Sequence, residues 1–231
     1  MIWVIIPTYN EEKALPQTIE SVYSQSPPYR VIVVDGGSTD RTLEILRQHS
    51  QFSCFTAPKG RASQMNAGAR FVTQQQANAE DWLLFLHADT QLPRGAFRHL
   101  RHLSSDSAYQ AGGFRHHFSG KDWRLRMISW LDNLRCTHSH IVYGDQGLFV
   151  RQGLFTRLGG FPTQTVLEDV RFGQTLLTQT TPRLLPLTVI TDSRKFVKMG
   201  VWRSFIRVLM IILYVEFGLP TFSPAFFRDI R

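Results

Sequence analysis

The chain has 231 residues, of which 43% are hydrophobic and 12% aromatic, and it carries a formal net charge of +8. This composition allows a sizeable core in one large α/β domain, with or without an appendage. The excess of basic residues fits a protein that binds nucleic acid, an anionic membrane or a phosphorylated substrate, and it is also explained by solubility alone. The only two cysteines, Cys54 and Cys136, lack metal-ligand spacing, which excludes a cysteine metal centre and favours a reducing compartment.

The first half of the chain alternates strand and helix patterns. Three short, continuous apolar runs predict strands of a parallel sheet that is buried on both faces. Apolar residues at helical spacing follow each run, after Pro93 in the case of the third run, and one further helix is expected from residue 61. Such β-α-β alternation predicts right-handed crossovers and a parallel sheet. The predicted strands are residues 3–7, 31–34 and 82–86, and the predicted helices are residues 14–23, a segment after Asp40, residues 61–72 and a segment after Pro93.

The second half is less regular. Residues 112–118 alternate like a sheet-edge strand, residues 147–150 predict a short strand, and residues 184–190 predict a last strand. Two helices are expected, one over residues 123–135 and one opening at Glu168 and Asp169. We therefore expect a nucleotide-binding half, residues 1–105, and an acceptor half, residues 106–200, fused in one mixed sheet. The inward side of the first helix is predicted to carry Leu125, Ile128, Leu131 and Leu134.

Residues 201–231 form a separate C-terminal segment. Its apolar run, residues 208–215, is shorter than the roughly twenty residues that span a bilayer. Residues 201–217 predict an amphipathic helix, which either lies on an anionic membrane or packs on the sheet or in a homodimer interface. Met1 leads directly into a strand pattern with no signal-peptide features, so we expect a cytoplasmic protein, free or peripheral at the inner face of the membrane.

Polar residues follow the three apolar runs at the position where open α/β sheets bind ligands. Asp35, followed by two glycines, is suited to accept hydrogen bonds from a base or ribose; the alternative is a turn that caps the next helix. Asp89 is suited to hold Mg²⁺ or Mn²⁺ beside a phosphate, with His87 on the same side of an extended chain. The alternative for Asp89 is a helix N-cap region before Pro93.

Two further groups carry charge at helix starts. A carboxylate at Glu168 or Asp169 would stay ionised and could act as a base, although acids are ordinary in first turns. Cations in Lys59-Gly60-Arg61 would oppose the dipole of the following helix, so a phosphate partner explains them as well as a solvated loop does. The histidines at 116, 117, 138 and 140 lack zinc-site spacing and are expected to be surface or core residues.

The ordered motifs resemble those of family 2 glycosyltransferases, which have the GT-A fold. The motifs are Pro7-Thr-Tyr-Asn-Glu-Glu12, Val33-Val-Asp-Gly-Gly-Ser-Thr-Asp40, His87-Ala-Asp89 and Leu167-Glu-Asp169. The resemblance covers roughly residues 2–200 and implies an α/β fold with a mixed, mostly parallel central sheet flanked by helices. Gly60-Arg-Ala-Ser-Gln-Met-Asn-Ala-Gly68 and Tyr143-Gly-Asp-Gln-Gly147 further resemble the small bacterial branch labelled arsenosugar-biosynthesis-like glycosyltransferases.

The resemblance implies roles for individual residues. The nucleotide would be bordered by residues of the first motif, its base would meet Asp35, and its diphosphate or base would lie near Arg61. Asp89 matches the last acid of the metal motif, which takes Mn²⁺ or Mg²⁺, and Asp169, beside Glu168, matches the catalytic base. In the first motif the contacting residues would be Pro7, Thr8 and Glu11, with Glu11 near the ribose.

Two departures from the family pattern bear on function. The first acid of the metal motif is His87 here, which puts the sugar or ribose contact of that acid in doubt. The processive-synthase motif is absent, with Ser193-Arg-Lys-Phe196 in its region, so transfer of single sugars is expected. Arg194 or Lys195 would add positive charge to the leaving diphosphate.

The function predicted is metal-dependent, inverting transfer of one sugar from a nucleoside-diphosphate sugar, with UDP favoured, to an acceptor hydroxyl that is unidentified or lipid-linked. Nucleic acid is not expected as a partner. Two alternatives stay open. One is a catalytically impaired scaffold that binds nucleotide sugars or a membrane, favoured by His87. The other is a nucleotidyltransferase. That class requires a glycine-rich basic loop directly after the first strand, and Thr8-Tyr-Asn-Glu-Glu12 does not supply one.

Overall fold

The computed structural model of the protein describes residues 1–104, 108–163, 167–206 and 209–210. Its strands form an eight-stranded sheet in the order β3-β2-β1-β4-β7-β6-β8-β5. The strands are β1 Ile2–Thr8, β2 Arg30–Asp35, β3 Ser53–Thr56, β4 Trp82–Phe85, β5 Thr90–Gln91, β6 Ala111–Phe118, β7 Phe149–Arg151 and β8 Arg183–Thr191.

Helices connect these strands and cover both faces of the sheet. They are α1 Leu15–Tyr23, α2 Thr42–Arg47, α3 Arg61–Gln74, α4 Ala96–Leu103, α5 Trp123–Ser139, α6 Gln152–Arg157, α7 Glu168–Leu177 and α8 Arg194–Met199. A short 3₁₀ turn, Gly144–Gln146, precedes β7. Residues 201–206 are also helical.

The side chains of the central strands alternate between two hydrophobic cores. Val4 and Ile6 of β1 point into a core that includes Leu15 of α1 and Phe97 of α4. Ile5 of the same strand points into the opposite core, with residues of α3, α6 and α7. A strand buried on both faces needs an unbroken apolar sequence, which explains why β1, β2 and β4 stood out in the sequence.

The predicted α/β architecture is confirmed. β1 pairs in parallel with β2 and β4, β2 pairs in parallel with β3, and β7 runs antiparallel to β4, so the sheet is mixed and mostly parallel. β3 and β5 were not predicted. β3 is Ser-Cys-Phe-Thr at an edge of the sheet with little burial, and β5 has two residues, so neither has a recognisable apolar pattern.

Two expectations for the second half are wrong. The strand predicted at an edge, residues 112–118, is β6 and lies inside the sheet, between β7 and β8. The glycines at the start of this strand made it resemble an edge strand. They are needed for close packing inside the sheet, because a Cβ at Gly112 would lie 2.4 Å from the main-chain oxygen of Arg183. Leu134 was predicted to point inward but is 41% exposed, because the inner face of α5 runs through Ile128, Ser129 and Cys136.

The C-terminal prediction is only partly covered. Residues 201–206 and 209–210 are helical, while the rest of the segment predicted as a helix, residues 207–208 and 211–217, lies outside the described residues. Among the residues that the structure describes, none of the helices has the length and apolar character needed to cross a bilayer. One sheet joins strands from both proposed halves, and their assignment as nucleotide and acceptor halves stays a prediction.

Arg151 of β7 holds three parts of the fold together. Its side chain is 1% exposed and stacks on the ring of Trp82, with Cζ 3.9 Å from the ring centroid. Its guanidinium donates to main-chain carbonyls before β4, at the end of α4 and before β6. These acceptors are the oxygens of Glu80, Leu103, Ser104 and Tyr109, at 2.6–3.3 Å.

We predict that Arg151→Met lowers the free energy of unfolding by about 3–5 kcal/mol, because it leaves several buried carbonyl groups without a donor. Arg157→Met, at an exposed position on α6, serves as the control and should change stability by less than about 0.5 kcal/mol. Urea denaturation followed by circular dichroism measures both. Equal effects of the two substitutions would contradict a central structural role for Arg151.

Candidate active site

The topology brings the ends of four strands to one edge of the sheet. The parallel pairing of β1, β2 and β4 aligns their carboxyl ends. β8 runs in the same direction as β4, because β7 is antiparallel to both β4 and β6, and β6 is parallel to β8. Helix α8, which follows β8, therefore begins at the edge where the sequence predicts ligand binding.

A cleft opens at this edge. It brings together most of the residues predicted to bind the nucleotide and metal, Pro7, Thr8, Glu11, Arg61, His87 and Asp89. It also contains residues for which the sequence predicted no separate role, Tyr9 and Gln64, and one of the two candidate cations, Lys195. Arg194, the other candidate, pairs instead with Asp192 at 2.7 Å.

Gln64 fixes the floor of the cleft. Its side-chain amide donates to the main-chain oxygens of Thr8 and Val34, both at 2.8 Å, and its Oε1 accepts from the N–H of Gly60 at 3.3 Å. One buried side chain thus ties the ends of β1 and β2 to the loop that starts α3. Arg61, the first residue of α3, is thereby held at the rim of the cleft.

The loop after β1 is held to the loop after β2 by side-chain hydrogen bonds. Asn10 adopts a left-handed backbone conformation, with φ of 54°, and its Oδ1 accepts from the N–H of Thr39 at 2.8 Å. The N–H of Glu11 donates to Oγ1 of Thr42 at 2.8 Å. The main-chain N–H of Glu11 thus has a hydrogen-bond acceptor in this loop, and Glu11 itself lines the cleft.

Glu11 and Asp89 share one cation. Nζ of Lys195 contacts a carboxylate oxygen of Glu11 and lies 3.4 Å from Oδ2 of Asp89. Burial would raise the pKa of Asp89, but Lys195, followed by His87 and Arg61, lowers it below its usual value. Burial and the neighbouring Asp89 raise the pKa of Glu11, although Lys195 opposes them. The attraction of both carboxylates therefore stabilises a positive charge at the position between them.

The topology explains how Lys195 reaches this position. The short strand β5 follows Asp89 and pairs antiparallel with the end of β8, Thr90 opposite Thr191. The N–H of Asp192 then donates to the main-chain oxygen of Asp89 at 2.9 Å. Helix α8 starts two residues later, so its first turn carries Lys195 over the cleft.

His87 packs against the turn that precedes β7. Its side chain is buried, and burial, followed by the charge of Arg61, lowers its pKa to about 4, so the imidazole is neutral at pH 7. A Cβ on Gly144 would lie 2.6 Å from Nε2 of His87. The imidazole therefore occupies the space that a side chain at position 144 would need.

Asp169 lies across the same turn from His87. The N–H of Gly144 donates to its Oδ2 at 2.9 Å, and the N–H of Val170 donates to its Oδ1 at 2.8 Å. Leu167 before it has a left-handed conformation, with φ of 62°, which is uncommon for a branched apolar residue. Glu168 is buried, whereas Asp169 is partly exposed, so Asp169 is the acid of this pair that solvent and ligand can reach.

Asp35 stands slightly apart. Its carboxylate is buried and accepts from the N–H groups of Gly37 and Ser38, at 2.7 and 2.8 Å, and from the hydroxyl of Thr8 at 3.3 Å. It lines a neighbouring cavity between β2, β3 and α2 rather than the cleft of Asp89. The turn weighed in the sequence is thus present, but Asp35 does not cap α2, because the N–H of Thr42 at the start of that helix donates to Asp40 at 3.0 Å. The contact of Asp35 with a base stays a prediction.

A buried polar cluster behind the cleft was missed by the sequence analysis. His116 of β6 is 1% exposed, with Nδ1 3.9 Å from Asp132 and Nε2 3.7 Å from Asp145. Neither ring nitrogen has a hydrogen-bond partner within the described residues. Burial, followed by Asp145, raises the pKa of Asp132 to about 7. Because Asp132 is on α5 and Asp145 in the 3₁₀ turn, sequence spacing gives no sign that they meet His116.

We predict that Gly144→Ala lowers the free energy of unfolding by about 1–3 kcal/mol, because the added methyl group collides with His87. In a His87→Ala background, Gly144→Ala should lower the free energy of unfolding by much less, because alanine at position 87 leaves room for the added methyl group. A double-mutant cycle measured by urea denaturation tests the contact. Additive effects, with no coupling between the two positions, would show that His87 does not pack on this turn.

Comparison with known proteins gives the chain a family. Residues 3–161 match the sequence model of glycosyl transferase family 2. An undecaprenyl-phosphate 4-deoxy-4-formamido-L-arabinose transferase of Proteus mirabilis is 28% identical over 160 residues, which are 64% of this chain and 47% of that protein. The 4,4'-diaponeurosporenoate glycosyltransferase of Staphylococcus haemolyticus is 35% identical over 98 residues, 39% of this chain and 24% of that protein. The chain thus spans less than half the length of these curated relatives.

Solved structures share the fold. A mannosyltransferase from Pyrobaculum calidifontis, in complex with GDP-Man and Mn²⁺, superimposes with a TM-score of 0.67 and 22% identity, covering 99% of this chain and 67% of that one. Residues 1–349 of S. aureus TarS, in complex with UDP-GlcNAc, superimpose with a TM-score of 0.64 and 20% identity. The match covers 84% of this chain and 58% of that one. At these identities the likeness establishes the GT-A type of α/β fold. Because the family match spans more than half of its residues, the chain belongs to glycosyl transferase family 2.

Proposed function

We propose that the chain transfers a single sugar from a nucleoside-diphosphate sugar to an acceptor hydroxyl, with inversion at the anomeric carbon. The observation that carries this proposal is the charge pattern of the cleft. Two acids, Glu11 and Asp89, and three basic residues face one space at the carboxyl edge of the sheet, with Asp169 held nearby. The basic residues are Lys59, Arg61 and Lys195. A metal-bound diphosphate matches this alternation of charge.

The residues present fit a divalent cation. The ammonium group of Lys195 already occupies a position between the carboxylates of Glu11 and Asp89, so this position favours a cation. Within the described parts of the chain, no group of three His, Cys, Asp or Glu residues is placed to hold a metal by itself. Asp89, assisted by Glu11, would hold Mn²⁺ or Mg²⁺, and the diphosphate and water would supply the remaining ligands. The bound ion would neutralise charge on the diphosphate as it leaves.

Positive side chains would bind the leaving group directly. Arg61 lies at the first turn of α3, and Lys195 would move from the acids to the phosphates when the metal takes its place. Negative charge grows on the diphosphate as the bond from its oxygen to the anomeric carbon breaks. Fixed cations beside that oxygen lower the energy of the transition state more than that of the bound donor.

Asp169 would be the base. The N–H groups of Gly144 and Val170 hold its carboxylate in place at the start of α7, with part of the side chain open to solvent. It would take the proton of the acceptor hydroxyl while the hydroxyl oxygen attacks the anomeric carbon and the diphosphate departs from the opposite side. The buried Glu168 would support this region rather than meet the acceptor.

The donor and acceptor are proposed more narrowly from the relatives. We favour UDP as the nucleotide, a choice supported by its frequency in the family, with the base near Asp35. Undecaprenyl-phosphate appears in the name of a relative, and a dolichyl phosphate sugar in that of another, which supports a lipid-linked acceptor. The sequence motifs at residues 60–68 and 143–147 support the arsenosugar-biosynthesis-like branch.

A scaffold that binds a nucleotide sugar without turning it over is the second candidate. The observation in its favour is His87, which is neutral and packed on Gly144 where the family has an acid. Metal-dependent release of nucleoside diphosphate from UDP- and GDP-sugars separates the candidates: an enzyme releases it slowly even to water, and a scaffold does not.

We predict that Asp89→Asn weakens binding of UDP or GDP in the presence of Mn²⁺ by about tenfold or more. The amide cannot supply a charged ligand, and such a contact is worth about 1.5–3 kcal/mol. Isothermal titration calorimetry measures the affinity, and Glu44→Gln, at an exposed position on α2, is the control. Unchanged affinity for both nucleotides in the Asp89 variant would remove Asp89 from the metal site.

We predict that Asp169→Asn lowers kcat by about 10²–10⁴-fold and leaves the KM for the donor nearly unchanged. The amide keeps the shape of the side chain and its contact with the N–H of Gly144 but cannot accept the proton. Glu20→Gln, at an exposed position on α1, is the control. A variant at position 169 that keeps about a tenth of wild-type kcat would show that another group is the base.

A further inference from the structure

Helix α5 exposes a line of large apolar side chains. Trp123 is 60% exposed, Trp130 is 62% exposed and Leu134 is 41% exposed, with the half-buried Met127 between them. Their spacing of four, three and four residues places them on one face of the helix. Exposed tryptophans are costly in water because each presents a large apolar ring, so a face that carries two of them indicates a binding surface.

The helix that starts at Val201 continues this line. Trp202 is 44% exposed, Ile206 is 56% exposed and Leu209 is 42% exposed, again at spacings of four and three. The ring of Trp202 lies 6.3 Å from that of Trp123, centroid to centroid. The two helices therefore present one continuous surface, here called the tryptophan face: Trp123, Met127, Trp130, Leu134, Trp202, Ile206 and Leu209.

Packing of these helices on the protein does not use the tryptophan face. Their opposite sides form a small core in which Leu125 and Ile128 of α5 meet Val201, with Phe118 of β6. Phe196 of α8 packs against the same core. Each helix is thus already docked, and its outward apolar side chains are free to contact something else.

The charges around the tryptophan face have one sign. Lys121, Arg126, Lys198 and Arg203 are exposed and make no ion pair with any residue that the structure describes. The acids on the same elements are already paired with arginines: Asp122 with Arg124, Asp132 with Arg135 and Asp192 with Arg194. An apolar face bordered by uncompensated basic residues complements an anionic lipid surface.

We propose that the tryptophan face binds the surface of an anionic phospholipid bilayer. The tryptophans would lie at the level of the headgroups, where an amphipathic ring is favoured, and the basic residues would meet lipid phosphates. A second copy of the chain fits less well, because a symmetric pair would bring the two basic borders together.

The position of α8 connects this surface with the cleft. Its first turn places Lys195 on Glu11 and Asp89, and the exposed Lys198 near its end is three residues before Val201, where the helix that carries Trp202 begins. Membrane binding would hold the mouth of the cleft close to the headgroups, where an acceptor with a lipid anchor resides. This consequence rests on the proposed function, whereas membrane binding itself does not.

The test measures vesicle binding without any donor sugar. Full-length protein is sedimented with vesicles of phosphatidylcholine and of phosphatidylglycerol mixed with phosphatidylcholine, and tryptophan fluorescence is recorded with brominated lipids, which quench only rings that contact acyl chains. The variants are Trp123→Ser with Trp130→Ser, and Arg126→Glu with Arg203→Glu. Their controls are Leu177→Ser, another exposed apolar site, and Arg98→Glu with Arg157→Glu, which reverse exposed charges elsewhere.

Wild type and controls should bind anionic vesicles, show quenching, and bind neutral vesicles weakly. Each double variant should bind anionic vesicles at least about tenfold more weakly. For the arginine pair this follows because each basic residue near such a surface contributes about fivefold, and for the tryptophan pair because two apolar anchors are lost. Absence of binding by wild type overturns the proposal, and so does binding that is equal in variants and controls. Self-association that depends on Trp123 and Trp130, without vesicle binding, would assign the face to a second copy. Nucleoside diphosphate release from donor sugars is assayed separately, so failure of either proposal is distinguishable.

Discussion

The structure depends on a balance of charge at one edge of its sheet. Glu11 and Asp89 are partly buried acids in the segments that follow β1 and β4, and the ammonium of Lys195 lies between them. Two neighbouring carboxylates in a partly buried site repel each other unless a cation compensates them. Here the cation comes from α8, which the pairing of β5 with β8 delivers to the same edge. The second half of the chain thus supplies the cation that compensates these two acids of the first half.

The same balance suggests how the cleft would work. Lys195 is 58% exposed, so its side chain is able to move, whereas Glu11 and Asp89 are fixed by strands and by hydrogen bonds of the adjoining loops. Asp89 and Glu11 would hold a divalent ion in preference to an ammonium group, because the ion carries more charge. The released lysine would then lie beside phosphate oxygens. His87, neutral and packed on Gly144, links this region to the turn that orients Asp169.

Much of the fold and of the site follows from local patterns. β1, β2 and β4 are buried on both faces, so their sequences are continuously apolar, and the residues predicted to bind ligand follow them in the sequence. The pairing of Lys195 with Asp89 and Glu11 joins residues 106 and 184 positions apart, and only the strand order brings them together. Position 134 was misplaced because helical spacing alone does not say which apolar stripe faces the core. Here α5 has two stripes, one in the core and one that includes Trp123 and Trp130.

The most direct test of this account is a crystal structure with UDP or GDP and Mn²⁺, collected at a wavelength at which manganese scatters anomalously. The account predicts an anomalous peak within bonding distance of Asp89 and of the diphosphate, with Nζ of Lys195 moved from the acids to a phosphate oxygen. A nucleotide bound elsewhere, or bound in the cleft with Lys195 still between Glu11 and Asp89 and no manganese at Asp89, would contradict it.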